Sequence, residues 1–359
     1  KLPGDHFNPV LYTGNGTSLA VTGVGFSPEL VTVKAREAAT SNFTYDVLRG
    51  AGNRLIWDGL SVESSISGVT SFDSDGFTVG SEAGNNPSSG TMVGWNWLLG
   101  GTPTADNSAG AGATPTADSV KIDGSNLGSA LAGSLAATRL SANTTNGFSV
   151  IKFVGSGANA TVAHGLAKAP ELIILKLIDS ASNPWMVGSD YMTTWGRYMR
   201  WDYTSAESAG DDAAWWNSTA PSSTVFNLGS NNDTNQSGED ILVYAIHSVD
   251  DYSKIGKYVG NGDAEGPYIY CGFRPALFIV KRIDVAASWI LFDNKRIGYN
   301  VENYQLYPDS DAARDTTDML DIVSNGIKIV GTGANINNSS GTYLFYAVAE
   351  YPFKYAPPR

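Results

Sequence analysis

A short phrase that occurs three times constrains this chain more than any other feature. It reads YTGNGTSLAVTGVGFSPELVTVK at residues 12–34, FVGSGANATVAHGLAKAPELIILK at 153–176 and YVGNGDAEGPYIYCGFRPALFIVK at 258–281. From aromatic to proline the spacing is 16, 17 and 17 residues (Tyr12 to Pro28, Phe153 to Pro170, Tyr258 to Pro275), and a lysine follows each proline about six residues on (Lys34, Lys176, Lys281). Self-similarity at this level implies three copies of one supersecondary unit. The Gly-Asn-Gly type of turn and the proline-led apolar run make that unit β-rich.

A chain of 359 residues exceeds one ordinary core, so three units suit the length. The boundaries that follow are 1–99 for a first β-sandwich, 100–147 for a linker, 148–254 for a second sandwich and 255–359 for a third. After each opening phrase comes a variable middle, then a short Gly-bounded strand (FTVGS, VFNLGS, IKIVGT), then a closing strand (TMVGWNWLL, DILVYAIHS, TYLFYAVAEYPF). In the closing strands Val93, Trp95 and Trp97 alternate, and Leu242, Tyr244 and Ile246 take their places in the second unit. The expected fold class is all-β: three tandem antiparallel β-sandwich repeats of jelly-roll type. Residues 100–147 are rich in Ala, Gly, Ser and Thr and hold no aromatic residue, so they read as a linker giving units 1 and 2 relative freedom. Leu127, Leu131 and Leu135, four apart, suggest one short helix over 125–140. The final KYAPPR reads as an exposed end. Because residue 1 is Lys, the chain is a processed form, a fragment or numbered from an internal start.

A formal charge of −12 disfavours a nucleic-acid partner, since phosphate would be repelled and no Lys/Arg cluster offsets it. No apolar run is long enough to span a bilayer, so membrane insertion is not expected. The single cysteine, Cys271, rules out an intrachain disulfide framework and reads as a buried small apolar residue.

Catalysis needs a positioned acid, base or nucleophile. His6, His164 and His247 do not recur at one repeat position, and no nucleophile elbow, zinc-protease, paired-cysteine or phosphate-loop motif occurs. The expectation is therefore a protein without catalytic residues and without cofactors. Asp73 and Asp75 in FDSDGF are spaced like the start of a calcium loop, but the sister unit has Ser324 and Asn325 there, which favours a turn over a metal site. Asp211, Asp212, Asp309 and Asp311 sit in polar stretches and read as solvated acids. The Asn-x-Ser/Thr triplets at Asn15, Asn42, Asn143, Asn159 and Asn217 are expected by composition alone.

The aromatic residues divide in two. Trp95 and Trp97 at period two read as core. The middle of unit 2 sets Trp185, Trp195, Trp201, Trp215 and Trp216 among Ser, Asn, Asp and Gly, and broad rings next to amides and acids are suited to stack on sugar rings. These five are the candidate glycan-binding residues, against the alternative of packing between units.

In combination, YTGNGT, GFSPELVTVK, TSFDSDGFTVGS, HGLAKAPELIILK, SGEDILVYAI, YVGNGDAEGPYIYCGFRPALFIVKR and YAVAEYPFKY make the chain resemble a family of repetitive virion structural proteins of marine and environmental tailed bacteriophages. The resemblance covers nearly the whole chain except about 100–138 and marks the scaffold; it carries over no binding or catalytic residue. It implies a non-enzymatic virion component outside the host cell, a tail fibre or receptor-binding protein contacting host surface polysaccharide. It also implies association with other virion proteins and with itself, as a homotrimer. The alternatives are a purely structural head fibre, capsid decoration or tail-wall protein, and a depolymerising tailspike.

Overall fold

The computed structural model describes residues 3–296, 300 and 304–350. The C-terminal KYAPPR lies outside them. Strands dominate. They run as β1 Phe7–Thr13, β2 Leu19–Thr22, β3 Leu30–Ala35, β4 Phe43–Asp46, β5 Asn53–Ile56, β6 Ser64–Ser65, β7 Val69–Asp73, β8 Gly76–Val79 and β9 Thr91–Trp97. Next come β10 Val120–Ile122, β11 Ser125–Asn126, β12 Ala137–Asn143, β13 Phe148–Val154, β14 Ala160–Ala163, β15 Leu172–Leu177, β16 Met186–Ser189, β17 Met199–Arg200, β18 Val225–Leu228 and β19 Asp240–Ile246. The last are β20 Ser253–Val259, β21 Tyr268–Tyr270, β22 Pro275–Arg282, β23 Trp289–Asp293, β24 Leu320–Val323, β25 Gly326–Ile329 and β26 Thr342–Ala349. The fold is all-β, of sandwich type, with antiparallel pairing throughout except for β10 beside β12.

Three large sheets share one order. In each, the closing strand lies between the opening strand and the proline-led strand: β1-β9-β3-β4, β13-β19-β15-β16 and β20-β26-β22-β23. A small sheet lies over each, β2-β8-β7, β14-β18 and β21-β25-β24. Between large and small sheet lies a core of its own, for example Val31, Val33, Phe77, Val79 and Met92 in the first and Phe278, Val280, Ile327, Ile329 and Phe345 in the third.

The opposite faces of the large sheets meet each other. One continuous cluster joins Leu30, Trp95 and Trp97 to Leu172, Tyr244 and Ile246 and to Leu277, Ile279 and Tyr346. With both faces covered, β3, β15 and β22 are buried at every position. This is why they read as mainly apolar runs, broken by Thr32, the phrase lysines and Arg282, and not as an apolar/polar alternation.

The tripled phrase is held in place by an asparagine six residues after a glycine in each closing loop. Asn86 Oδ1 accepts from Asn15 N (2.7 Å), Asn235 Oδ1 from Ser156 N (2.8 Å) and Asn337 Oδ1 from Asn261 N (2.9 Å). Their Nδ2 groups donate to Gly80 O, Gly229 O and Gly331 O. All three asparagines are fully buried. The loop comes so close that a Cβ on Gly14, Gly155 or Gly260 would lie 2.1, 2.1 or 2.3 Å from a backbone oxygen, so the first glycine of each phrase is fixed by space.

The lysines of the phrase close the molecule into a ring. Lys34 Nζ donates to Thr40 O (2.5 Å) in its own unit and to Ser310 O (3.3 Å) in the third; Lys176 Nζ donates to Asn183 O (2.5 Å) and to Leu60 O (3.4 Å) in the first; Lys281 Nζ donates to Ala287 O and to Thr204 O (3.0 Å) in the second. At the start of the neighbouring strand a second side-chain donor crosses the same joint: Asn42 Nδ2, just before β4, to Tyr307 O (2.9 Å), Trp185 Nε1, just before β16, to Ile56 O (2.8 Å), and Trp289 Nε1, the first residue of β23, to Arg200 O (2.8 Å). Two residues beyond each lysine the backbone carbonyl accepts an amide from the same partner: Arg314 N to Arg36 O, Glu63 N to Ile178 O, Glu207 N to Ile283 O. Each joint thus repeats the same three contacts, and each sheet pair grips the variable middle of the one before it.

Two expectations fail here. Units 1 and 2 are not free of one another: besides the ring joint, Arg139 Nη1 donates to Leu48 O (2.8 Å) and Asn146 Nδ2 to Leu98 O (2.7 Å). Residues 125–140 hold β11 and the start of β12, and no helix. Gly128 and Gly133 weaken a helix there, while β13 offers β12 an antiparallel ladder from Ala137 to Asn143, irregular only between Ala137 and Arg139. The segment 100–147 therefore widens the second large sheet to eight strands and covers its edge.

An ion pair closes the turn after β4 and β23. Asp46 and Arg49 (2.7 Å) and Asp293 and Arg296 (2.6 Å) are buried pairs three residues apart, and the Trp95 indole also donates to Asp293 (2.9 Å). The second unit has Ser189 and Met192 at these places. Removing one member strands the other charge, so Asp293→Ala should lower unfolding free energy by about 3–5 kcal/mol in urea titration. Asp293→Ser with Arg296→Met, which copies the second unit, should recover most of that loss; equal instability of both variants would contradict this assignment.

Candidate functional site

The proposed sugar-binding tryptophans are placed mostly in the interior. Trp185 and Trp216 are fully buried, Trp201 and Trp195 nearly so. Trp185 and Trp201 belong to the shared central cluster, Trp201 lying 5.3 Å from Trp57 and 4.5 Å from Trp289 between ring centroids. Trp195 packs edge-on against Trp216 in the core of the second sandwich. Trp215 is partly buried, with the Tyr198 ring 4.0 Å away over it. The structure does not bring these five rings together on a surface; four have no face left to offer a sugar. Their polar sequence neighbours build the loop turns while the rings point inward, Trp185 and Trp201 to the shared centre and Trp195 and Trp216 to the core of the second sandwich.

The carboxylates are likewise committed. Asp75 accepts from Gly23 N (3.1 Å) and Gly25 N (2.7 Å), and Asp73 from Ser71 and Thr78 hydroxyls (both 2.8 Å). They tie β2 to the β7–β8 turn. Among the described residues no group of three or more His, Cys, Asp or Glu converges as a metal site. Asp309 is no solvated acid: it accepts from Trp289 N (3.2 Å), and burial pushes its carboxyl up to about 6 against the pull of Lys281. Asn42 and Asn143 are buried and cannot accept a glycan in the folded chain. The Cys271 thiol is buried and pushed up to about 12 by that burial. His164 is enclosed, its Nδ1 accepting from Leu166 N (3.1 Å) and its Nε2–H donating to Ser222 O (3.1 Å), so the neutral ring fits and burial lowers its pKa to about 4.

Three tyrosine rings stay largely exposed: Tyr203 (55%) in the middle of the second unit, with the Arg200 guanidinium 5.0 Å from its ring centroid, and two neighbours on one strand of the third. β21 points Ile269 into the core and Tyr268 and Tyr270 outward, 47% and 58% exposed. Pairing of Tyr270 with Gly326 and of Thr22 with Gly76 aligns Tyr268 with Ala20 and Thr161, and Tyr270 with Thr22 and Ala163. The scaffold is built twice with small residues at these two positions. Two large aromatic rings there are not needed for folding.

Tyr270 stands at the mouth of a crevice of about 520 Å³ between the second and third sheet pairs, lined also by Glu171, Tyr191, Ser248, Asp250, Asp251 and Lys254. Lys254 Nζ donates to Tyr270 O (2.9 Å) and lies 5.2 Å from its ring centroid, which holds the ring in place. Tyr268 donates through its hydroxyl to Asn325 Oδ1 (2.5 Å). Glu171 accepts from Ser248 N (3.0 Å) and from its hydroxyl, and this shapes the wall. Asp250 and Asp251 are exposed on the rim, Asp251 in the left-handed region (φ 62°) of a tight turn. A fixed aromatic face beside carboxylates and hydroxyls is suited to a polyhydroxylated ligand: the ring covers C–H faces and the polar rim pairs hydroxyls. Reading the sequence for aromatic density missed this pair. The signal was the Tyr-Ile-Tyr alternation inside the third phrase, where the other two phrases are small.

Fold and site define the class: an all-β protein of face-packed antiparallel sheets with crevices where sheet pairs meet. The chain belongs to the family described as a domain of unknown function (DUF7483), whose model matches residues 2–121 and 121–352. No curated protein matches it.

The enclosed His164 gives a pH test. Its folded pKa of about 4 lies below the unfolded value of about 6.5, so the unfolded chain binds the extra proton between them. Stability from this group is present above pH 6.5 and drains as pH falls to about 4, by about 3 kcal/mol in all. In urea unfolding across that window, His164→Gln should flatten the acid slope relative to the parent chain; parallel slopes would contradict a neutral buried ring.

Proposed function

We propose that this chain is a non-enzymatic bacteriophage virion protein, a tail fibre or receptor-binding component, that contacts host surface glycan through the Tyr270 crevice and the outward Tyr268 ring on the same strand. The observation that carries the reading is that pair of exposed, held aromatic rings at positions where the scaffold twice uses small residues. The ring of joints supports it by making one rigid body from three sheet pairs, and rigidity lowers the ordering cost of binding. In this reading chains associate as homotrimers on the particle, which multiplies weak contacts; linked sites raise avidity by about 10²–10⁴.

A purely structural role, as head fibre, capsid decoration or tail wall, is the second reading. It is favoured by one fact: the variable middles of all three units serve as struts of the ring and not as free surface loops. The two readings separate on a panel of bacterial surface polysaccharides. The full chain should bind members of the panel, and Tyr270→Ala with Tyr268→Ala should weaken binding at least tenfold with unchanged thermal unfolding. No binding by the parent chain, with labelling of the protein on the capsid of the particle, would replace the first reading with the second.

A further inference from the structure

The Tyr270 crevice is not the end of the groove. Tyr191 lines it and also lines a second crevice of about 500 Å³ along the same junction, walled by Thr193, Arg197, Glu207, Lys257, Asp284 and Thr342. The charges in this second crevice are almost all engaged. Arg197 pairs with Glu207 (3.3 Å) and Asp211 (2.9 Å), and Asp284 pairs with Arg282 (2.9 Å) and accepts from Thr342 N (3.0 Å).

Lys257 is the exception, and the chain itself shows why. Its counterpart in the second unit, Lys152, pairs with Asp240 (2.6 Å). The ladders Val154↔Asp240 and Val259↔Thr342 put Thr342 where that aspartate stands. The lysine is kept and its carboxylate is lost. Among the described residues Lys257 has no ion-pair partner; it is exposed, on the wall of a crevice, in a chain of net charge −12. Leu11 occupies the position in the first unit, so the fold does not require a cation there.

We infer that the groove takes a linear acidic glycan, its sugar rings stacked at Tyr270, its chain passing over Tyr191 and a carboxylate or other anionic substituent paired with Lys257. This rests on the glycan reading above and adds substrate class and direction. A neutral glycan would leave Lys257 without a counter-charge, and a lone small anion would make no use of the two aromatic residues. The net negative charge of the protein disfavours ligands whose acid group falls away from a cation, which ties the register of the acid group to Lys257.

The test uses the full chain and a panel of linear bacterial polysaccharides, neutral and uronate-bearing, with the carboxyl-reduced form of each acidic member, in short and long fragments. Acidic fragments should bind, and reduction of their carboxyls should weaken them about 5- to 10-fold, the scale of one charge-assisted contact. Lys257→Ala should weaken acidic fragments by the same factor, leave the reduced forms unchanged and lessen the weakening of binding by salt. Tyr191→Ala should weaken long fragments and spare short ones. Equal affinity for acidic and reduced forms, or no effect of Lys257→Ala, while the Tyr270 variant still loses binding, would overturn this inference and leave the glycan reading standing. Failure of the parent chain to bind any glycan would overturn both.

Discussion

A buried ammonium at each joint is the constraint from which the rest of this structure follows. Lys34, Lys176 and Lys281 are fully buried, and burial lowers each to about 8 despite help from nearby aspartates. An ammonium in that setting is tolerable only when carbonyls surround it. One carbonyl comes from the lysine's own unit and one from the unit before, so the charge is satisfied only if the neighbour is docked. The pH sign follows. A folded pKa near 8, below the unfolded value near 10.4, makes the cost of burial fully present below pH 8 and relieves it as pH rises toward 10.4. The lysines therefore specify geometry at some expense in stability, and three such joints in cyclic order leave no unit with an unpartnered end.

Ring closure decides what the rest of each unit can do. Because the large sheets face one another, alternate residues of β9, β19 and β26 serve two cores, Val93, Trp95 and Trp97 inward to the centre and Met92 toward the small sheet. The middles, which differ most in sequence, are drawn into the joints as struts, and Trp57, Trp185, Trp201 and Trp289 fill the centre. Function is left to the outer faces of the small sheets and the crevices between sheet pairs, where a residue can change without disturbing either core.

Much of the fold was legible because its devices repeat. The proline-led apolar run, the glycine turn and the lysine recur at near-constant spacing, and each recurrence is a backbone approach or a buried donor that every unit must build. The asparagine six residues after a glycine, at Asn86, Asn235 and Asn337, was equally regular but lay in loops that look merely polar. The site was not legible by composition. Trp185, Trp201 and Trp216 sit beside Ser, Asp and Asn in sequence, yet an irregular segment has no period to say which way a ring points. Residues 125–140 failed for a different reason: leucines four apart fit a helix, but Gly128 and Gly133 interrupt it, and the partner that draws the end of the segment into a hairpin, β13, starts just beyond it.

The three copies also act as an internal control, which is why the junction of the second and third sheet pairs stands out. The corresponding junction between the first and second is smaller, about 330 Å³, and lined by Glu29, Gly100, Gly101, Asn143 and Thr145 with no exposed aromatic ring. There Asp123 accepts from Thr144 N (2.8 Å) and from its hydroxyl, so its carboxylate is used internally. Glu29 and Glu171 do the same work in both, accepting amides where the closing strand leaves its sheet. What scaffold needs is therefore present at both junctions, and it can be subtracted. The remainder at the second junction is Tyr270, Tyr191 and Lys257: an outward ring with Tyr268 beside it on the same strand, a ring shared by two crevices, and a cation that has no ion-pair partner among the described residues, with threonine where its counterpart has aspartate. In the glycan reading, side chains that the fold does without in one copy and keeps in another are accounted for by a ligand more readily than by packing.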